Sequence, residues 1–205
     1  FGKPRPEPTR KFPYLPFEHG TPDGYDFFLN MGPLANADRK YFKGEVAFWN
    51  EMMKHGTYDE FWRSRNIRAH LKNIKPAVLT VGGWFDAENL FGALETFKKA
   101  EANTPPKAGN HLVMGPWVHG GWSRGDGESL GPVRFNAKTS QFFREKMQLP
   151  FFEYHLKGKG TDPLPKAWVF ETGTNRWRKY DAWPPKDAAK KSLYFHADGR
   201  LAFDP

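Results

Sequence analysis

The spacing of apolar residues changes along the chain, and the first third shows helical intervals between turns. Residues 37–55 carry an apolar side chain every three or four positions, which predicts one amphipathic helix. Asn36 is expected to cap this helix and Gly56 to end it. The apolar face consists of Phe42, Val46, Trp49 and Met53.

The segments on either side of this helix are shorter. Residues 1–35 are rich in proline and glycine and predict an irregular arm, with a strong turn at residues 20–24, GTPDG. Residues 57–60, TYDE, match a capping box, which predicts that a short helix begins there. Residues 1–75 are therefore predicted to form a helical segment.

A different pattern begins at Lys75-Pro76. Residues 77–81, AVLTV, form a short apolar run that ends in Gly82-Gly83 and predicts a buried strand. Residues 87–101 predict a helix, and residues 111–114, HLVM, predict a second buried strand. A strand, a helix and a strand within this length form a βαβ unit, so the two strands are expected to be parallel.

In the last part of the chain, one more helical segment is followed, after residue 160, by apolar residues at every second position. Residues 139–157 predict an amphipathic helix with a kink at Pro150. Short antiparallel strands are then predicted at residues 167–170, 176–180 and 192–195. They are too few to close a β-sandwich, so we expect the chain to be part of a longer polypeptide.

Composition narrows the function classes. The 205 residues include no cysteine, which excludes a disulfide scaffold and thiol chemistry within this chain. The net charge is +8, but the basic residues are scattered among acidic ones, which indicates a solvated surface rather than a nucleic-acid site. No apolar run has the length of a transmembrane helix, so no membrane contact is expected.

Two candidate catalytic side chains follow the predicted strands. Asp86 comes directly after the first strand, in GGWFD, and His119 after the second, in GPWVH. The carboxyl ends of parallel strands are where sites form in such sheets, and a carboxylate beside an imidazole fixes the ring for acid–base catalysis. Taken singly, Asp86 also fits a helix N-cap and His119 an ordinary surface histidine, and these alternatives stay open.

These segments resemble a known family. VGGWFDAENLFGALETF and HLVMGPWVHGGW are similar to the acid and histidine segments of the α-amino acid ester hydrolases, which are grouped with cocaine esterase, glutaryl-7-aminocephalosporanic acid acylases and X-prolyl dipeptidyl peptidases. PFFEYHLKGKG and GTPDGYDFFLNMGPL also resemble parts of that family. The resemblance implies an α/β fold: a helical cap segment at 1–75, the later half of an α/β-hydrolase core at 76–160 and the start of a β jelly roll at 161–205.

The resemblance also implies roles for single residues. Asp86 corresponds to the triad acid and His119 to the triad base. Glu88 and Asn89 occupy positions where the ester hydrolases carry carboxylates that bind a substrate ammonium group, and Asn89 lacks the charge. The tryptophans that flank these segments are candidate walls of the acyl pocket, although core packing is an equally ordinary role for them: Trp84, Trp117 and Trp122.

The stretch GWSRGDGESLG contains two G-x-S-x-G patterns, centred on Ser123 and Ser129. A nucleophile elbow needs a strand before the serine and a helix after it, and it precedes the acid and the histidine in this fold. Neither serine meets these conditions. The nucleophile is therefore expected upstream of this chain, in the missing N-terminal part of the same enzyme.

The resemblance thus implies part of a serine hydrolase or acyltransferase that acts through an acyl-enzyme and without a cofactor. Its expected substrate is a small-molecule ester or amide of the α-amino acid ester or β-lactam acyl type. The resemblance alone implies a periplasmic or secreted location, and it is compatible with a homo-oligomer. One rival is a non-catalytic β-sandwich module that binds carbohydrate or a partner. It requires Trp168 and Trp177 to be exposed side by side, and Asp86 and His119 to be too far apart for a hydrogen bond. A metal site at His119, Asp126 and Glu128 is a weaker rival, because the spacing fits no standard ligand motif.

Overall fold

The computed structural model describes residues 19–103, 105 and 109–205. The chain divides into two units, Phe1–Asn66 and Ile67–Pro205. Residues 1–18 of the predicted arm lie outside the described residues. None of the helices formed by the described residues is long and apolar enough to cross a membrane.

The first unit is helical. Helix α1 spans Gly24–Met31, and α2 (Ala35–Ala37) continues into a π-helical turn, Asp38–Phe42. Two further helices follow, α3 (Ala47–Lys54) and α4 (Glu60–Ser64). Helices were expected within residues 37–64, but α1 lies within residues 1–35, where an irregular arm was predicted, so that prediction is wrong for Gly24–Met31.

The prediction of a single helix over residues 37–55 is wrong. Lys43 has a φ of 50° and Gly44 one of 80°, so the backbone leaves the right-handed helical region between α2 and α3. The N–H of Lys43 closes the π-helical turn by donating to the Asp38 carbonyl oxygen at 2.6 Å. Helical spacing of apolar residues continues across this break, which is why the sequence pattern does not show it.

The predicted caps in this unit also differ from the observed ones. Asn36 lies inside α2, where its amide donates to the Met31 carbonyl oxygen at 2.9 Å. Asp59, not the threonine of the TYDE pattern, caps α4: its carboxylate accepts the N–H of Phe61 at 3.0 Å. Helix α3 ends at Lys54, with His55 rather than Gly56 as its C-cap.

The second unit contains the predicted βαβ arrangement. Strand β1 (Val78–Gly83) and strand β2 (Asn110–Gly115) pair in parallel over their whole length, from Val78 opposite Asn110 to Gly83 opposite Gly115. Helix α5 (Leu90–Asn103) connects them and begins three residues later than predicted, because a turn follows Asp86. A small hairpin follows, formed by β3 (Ser129–Leu130) and β4 (Val133–Arg134).

The sheet continues beyond the boundary predicted at residue 160. Strand β5 (Ala167–Glu171) pairs in parallel with β2, and β6 (Arg176–Tyr180) pairs antiparallel with β5, so the sheet order is β1-β2-β5-β6. The expected β5–β6 hairpin is present, but it belongs to the sheet of the βαβ unit rather than to a separate β domain. Strands β7 (Tyr194–Phe195) and β8 (Leu201–Ala202) form a separate pair, and the jelly roll stays a prediction.

Hydrophobic residues cover both faces of this sheet. Helix α6 (Thr139–Phe143), a π-helical turn (Arg144–Gln148) and α7 (Leu149–Lys157) follow one another, with Pro150 in the first turn of α7. Their buried side chains pack with Val113 of β2, whereas Leu112 and Met114 pack with Phe97 of α5. Because successive strand residues point to opposite faces, β2 is covered on one face by α6–α7 and on the other by α5.

Candidate active site

The tips of β1 and β2 are joined by backbone hydrogen bonds. The N–H of Trp84 donates to the Gly115 carbonyl oxygen at 2.9 Å, and that of Phe85 donates to the Trp117 carbonyl oxygen at 3.1 Å. A Cβ on Gly83 would lie closer to the Trp117 carbonyl oxygen than van der Waals contact allows. Only glycine fits this position, so the GGWFD and GPWVH segments are held side by side.

Asp86 lies just beyond this junction and is 2% exposed. Its Oδ1 accepts the backbone N–H groups of Glu88 and Asn89, both at 2.9 Å. Burial alone would raise the pKa of the Asp86 carboxyl group, but these two hydrogen bonds and the one from His119 outweigh it and hold the pKa below its usual value. Asp86 therefore remains ionised while it also caps the turn before α5.

His119 presents its ring to this buried carboxylate. Nδ1 lies 3.1 Å from Asp86 Oδ2, across 33 residues of sequence. An ionised carboxylate can only accept, so Nδ1 carries the proton and Nε2 of the neutral ring keeps a lone pair. The His119 side chain is 55% exposed, which leaves Nε2 accessible to a reactant.

Glu88 and Asn89 also lie at the ring, on different sides. Glu88 Oε2 is 3.7 Å from His119 Nε2, and its side chain is 71% exposed. The Asn89 amide nitrogen Nδ2 is 3.3 Å from Nδ1; both carry protons in the tautomer that donates to Asp86, so this is a contact and not a hydrogen bond. Glu88 thus places a negative charge beside the reactive nitrogen, whereas Asn89 adds a neutral dipole behind it.

The tryptophans do not share one role. Trp117 is 3% exposed, and its indole N–H donates to Thr139 Oγ1 at 2.9 Å, so the prediction that it lines a pocket is wrong. Trp84 donates its indole N–H to the Phe170 carbonyl oxygen at 2.8 Å and packs on the α5 face of the sheet. Only Trp122 approaches the candidate site, with its ring centroid 6.5 Å from that of His119.

Two arginines that the sequence did not single out support the histidine loop. Arg124 donates to the His119 carbonyl oxygen. Arg144 reaches back from the turn between α6 and α7 to the carbonyl oxygens of Trp122 and Gly125, at 3.0 and 2.7 Å. Such side chain to backbone contacts leave no periodic signal, so spacing could not reveal them.

The two G-x-S-x-G serines do not lie on a nucleophile elbow. Ser123 closes a 3₁₀ turn (Gly121–Ser123), where its hydroxyl donates to the Gly120 carbonyl oxygen at 2.9 Å. Ser129 lies in the short strand β3, which no helix follows directly. This placement agrees with the expectation that neither is the nucleophile.

The metal site considered at His119, Asp126 and Glu128 also lacks support. Asp126 Oδ1 instead accepts the backbone N–H of Glu128 at 3.1 Å. Within the described residues, the set of metal-ligating side chains whose ligand atoms converge contains none of these three residues.

Comparison with known proteins gives consistent matches. The sequence profile of the X-Pro dipeptidyl-peptidase (S15) family matches residues 19–121. The chain is 34% identical over 131 residues to a Mycobacterium bovis protein named as a candidate serine esterase, covering 62% of this chain and 19% of that protein. It is 28% identical over 163 residues to a cocaine esterase of Rhodococcus sp., covering 76% of this chain and 27% of that enzyme.

Solved structures match the fold more fully. An aminopeptidase from a marine-sediment Thaumarchaeota archaeon superposes with a TM-score of 0.82 and 33% identity over 93% of this chain and 31% of that one. An α-amino acid ester hydrolase gives the same TM-score of 0.82, with 29% identity over 89% of this chain and 31% of that one. The chain therefore spans between a fifth and a third of the length of these relatives.

Proposed function

Because the chain belongs to the X-Pro dipeptidyl-peptidase (S15) family of serine hydrolases, we propose that it supplies the acid and the base of a catalytic triad. The enzyme cleaves an ester or an amide through an acyl-enzyme. Asp86 is the acid and His119 is the base. The observation that carries this assignment is the 3.1 Å contact between Asp86 Oδ2 and His119 Nδ1.

The geometry favours a defined sequence of proton transfers. His119 Nε2 removes the proton from a serine hydroxyl while that oxygen attacks the substrate carbonyl carbon. The imidazolium that forms lies beside the ionised, buried Asp86, which stabilises its charge. His119 then donates the proton to the leaving oxygen or nitrogen, and a water molecule repeats the sequence to release the acyl group.

We infer that the nucleophilic serine comes from outside these 205 residues. The triad order in this fold places the serine before the acid. Among the described serines, Ser123 and Ser140 donate their hydroxyls to the carbonyl oxygens of Gly120 and Gly121, and Ser129 lies on the β3 hairpin. On this proposal, a serine from outside these 205 residues approaches His119 Nε2.

The rival binding module does not fit. Trp168 and Trp177 are half-buried rather than exposed, and both pack against Phe142 in the core, with centroid separations of 5.8 Å. A platform that stacks on sugar rings needs open aromatic faces, which these tryptophans lack. The rival also requires Asp86 and His119 to be out of hydrogen-bond range, and they are within it.

The substrate class follows from the charge beside Nε2. Glu88 is exposed, and its Oε2 lies 3.7 Å from His119 Nε2, the nitrogen proposed to act on the substrate. A carboxylate in that position favours a substrate with a cationic group near the scissile carbonyl, such as the free amine of an α-amino acid ester. Asn89 contributes no charge, so the preference rests on one carboxylate in this chain.

Fluorophosphonate labelling of the natural full-length protein tests the assignment. The probe phosphonylates a serine only when a base activates its hydroxyl. We expect one labelled serine, outside this chain, and a labelling rate that falls about 10²-fold or more in His119→Gln but not in the exposed control His70→Gln. A label on Ser123 or Ser129, or equal rates in both variants, would contradict the proposal.

A further inference from the structure

A second cluster of chemically active side chains lies at the other end of β2. His111 is the second residue of that strand, and His119 follows its far end, so the two histidines mark opposite edges of the sheet. The strand from His111 to Gly115 alone spans about 13 Å. His155 near the end of α7 and Asp162 in the loop before β5 complete the cluster.

His111 is buried with one ring nitrogen unsatisfied. It is 5% exposed, and Nδ1 lies 2.9 Å from the Pro165 carbonyl oxygen. A carbonyl can only accept, so Nδ1 carries a proton and the neutral ring has its lone pair on Nε2. That lone pair has no hydrogen-bond partner within the described residues, although Asp162 Oδ2 lies 3.4 Å away.

This pair of atoms needs something positive between them. A lone pair that faces a carboxylate oxygen is repelled by it, and a proton on Nε2 would relieve the repulsion. The contact, however, lacks the alignment of a hydrogen bond. A metal cation that both atoms coordinate relieves the repulsion equally well. A third electron-pair donor beside them would favour the metal cation over a proton on Nε2.

His155 supplies that third donor. Its Nε2 is also buried and without a hydrogen-bond partner among the residues that the structure describes. Asp162 keeps Oδ2 available because its Oδ1 accepts the N–H of Leu164 at 3.2 Å. The ligand atoms of His111, His155 and Asp162 all lie within 4.8 Å of one another. Two ligands of one zinc ion are at most about 4 Å apart, so binding an ion requires these side chains to approach one another by about 1 Å at most.

The surroundings also suit an ion. Gly109 adopts a φ of +71°, and a Cβ there would lie 3.3 Å from His111 Nε2 and 3.6 Å from His155 Cε1. The space beside both rings is therefore kept open by a residue without a side chain. The Pro165 carbonyl fixes the His111 tautomer in the way that outer-shell acceptors orient histidine ligands.

We propose that His111 Nε2, His155 Nε2 and Asp162 Oδ2 form a binding site for a divalent transition-metal ion of the zinc class. Two imidazoles and one carboxylate are ligands that Zn²⁺ favours, and a water molecule on the exposed aspartate side completes a tetrahedral set. The ion ties the start of β2 to the end of α7 and to the loop before β5. It is a structural clamp at the edge remote from His119, and it stands independently of the proposed hydrolase activity.

Zinc titration of the natural full-length protein tests the site. The protein is prepared without a histidine tag, treated with chelator and titrated with Zn²⁺ in a calorimeter. Asp162→Asn is the decisive variant, because the aspartate is exposed and the amide preserves its size. His155→Gln is the second variant, and the exposed His70→Gln is the matched control. Co²⁺ is added in parallel to read the ligand geometry from its visible absorption.

We expect the protein to bind one equivalent of Zn²⁺. The affinity should fall at least about tenfold in Asp162→Asn and in His155→Gln but not in His70→Gln. Zn²⁺ should also raise the melting temperature of the parent protein and of the control, but not that of the two site variants. Co²⁺ should give the absorption of a four-coordinate site that both site variants lose. Binding that is equal in all variants, or no binding, would overturn the proposal and leave a His111–Asp162 ion pair.

Discussion

Replacing Asp86 by asparagine separates the two roles that this residue combines. Asparagine caps helices as well as aspartate does, so a purely capping residue would tolerate the change. The carboxylate instead faces two kinds of donor: backbone N–H groups at Oδ1 and the His119 ring at Oδ2. An amide has only one acceptor oxygen, so Asp86→Asn cannot serve both.

The structure determines which way the amide will point. The oxygen stays with the N–H groups of Glu88 and Asn89, since turning it away would lose both hydrogen bonds, about 2 kcal/mol or roughly 30-fold. The NH₂ group then faces His119 Nδ1 and forces the ring to carry its proton on Nε2. That tautomer cannot accept the proton of a nucleophile.

The expected result is a large loss of kcat with little loss of stability. The wrong tautomer, together with the missing charge beside the imidazolium, should lower kcat about 10³- to 10⁴-fold. The assay is hydrolysis of a p-nitrophenyl ester by the full-length protein, with urea denaturation in parallel. The matched control is Asp23→Asn, since Asp23 also caps a helix, α1, by accepting the N–H of Tyr25 at 2.8 Å, but belongs to the first unit and not to the candidate site. A fall in kcat of less than about tenfold in Asp86→Asn would refute the tautomer reasoning.

Three further outcomes follow from single contacts. His55 Nδ1 donates a hydrogen bond to the Asp59 carboxylate, which raises the pKa of His55. This pair therefore stabilises the first unit fully below the usual histidine pKa and loses that contribution as pH rises through the raised value. Urea denaturation against pH should show the trend, and His55→Gln should flatten it. Gly83→Ala should destabilise the protein by about 1–3 kcal/mol and lower kcat. Gly92→Ala in α5, where a Cβ would make only an ordinary contact 3.7 Å from Asn89 Oδ1, should stabilise it by about 0.5–1 kcal/mol in the same measurement. Trp117→Phe should cost about 1–3 kcal/mol in chemical denaturation, because it removes a buried indole hydrogen bond and leaves a cavity; a neutral effect would show that the indole is not a packing element.

The local pattern of apolar residues and glycines was sufficient to predict the part of the fold that positions Asp86 and His119. Short apolar runs bounded by glycine gave β1 and β2, and the helix between them fixed their parallel pairing. The sequence could not show that β5 joins β2, because that pairing connects residues 55 positions apart and leaves no local period. For the same reason the hairpin of β5 and β6 was assigned to a separate domain.

The candidate site, like the fold, could be inferred from the sequence only in part. The proximity of Asp86 and His119 could be inferred, because both follow strands whose ends must meet. The burial of Trp117 could not be inferred, since an aromatic residue beside a catalytic motif fits a pocket wall and a core equally well. The His111–His155–Asp162 cluster was invisible for a further reason: its members come from a strand, a helix and a loop with no ligand spacing along the chain.

The position of the Asp86–His119 pair depends on the core as well as on the loop that carries His119. Trp117 lies two residues before His119. Its indole N–H donates a hydrogen bond to Thr139 of α6, and its ring packs against Phe143. Its carbonyl oxygen accepts the N–H of Phe85, the residue before Asp86. The same buried residue thus holds in place the segments that carry Asp86 and His119. Changes at Trp117 should therefore reduce stability and kcat together, whereas changes at the exposed Glu88 should alter the preference for cationic substrates and leave stability unchanged.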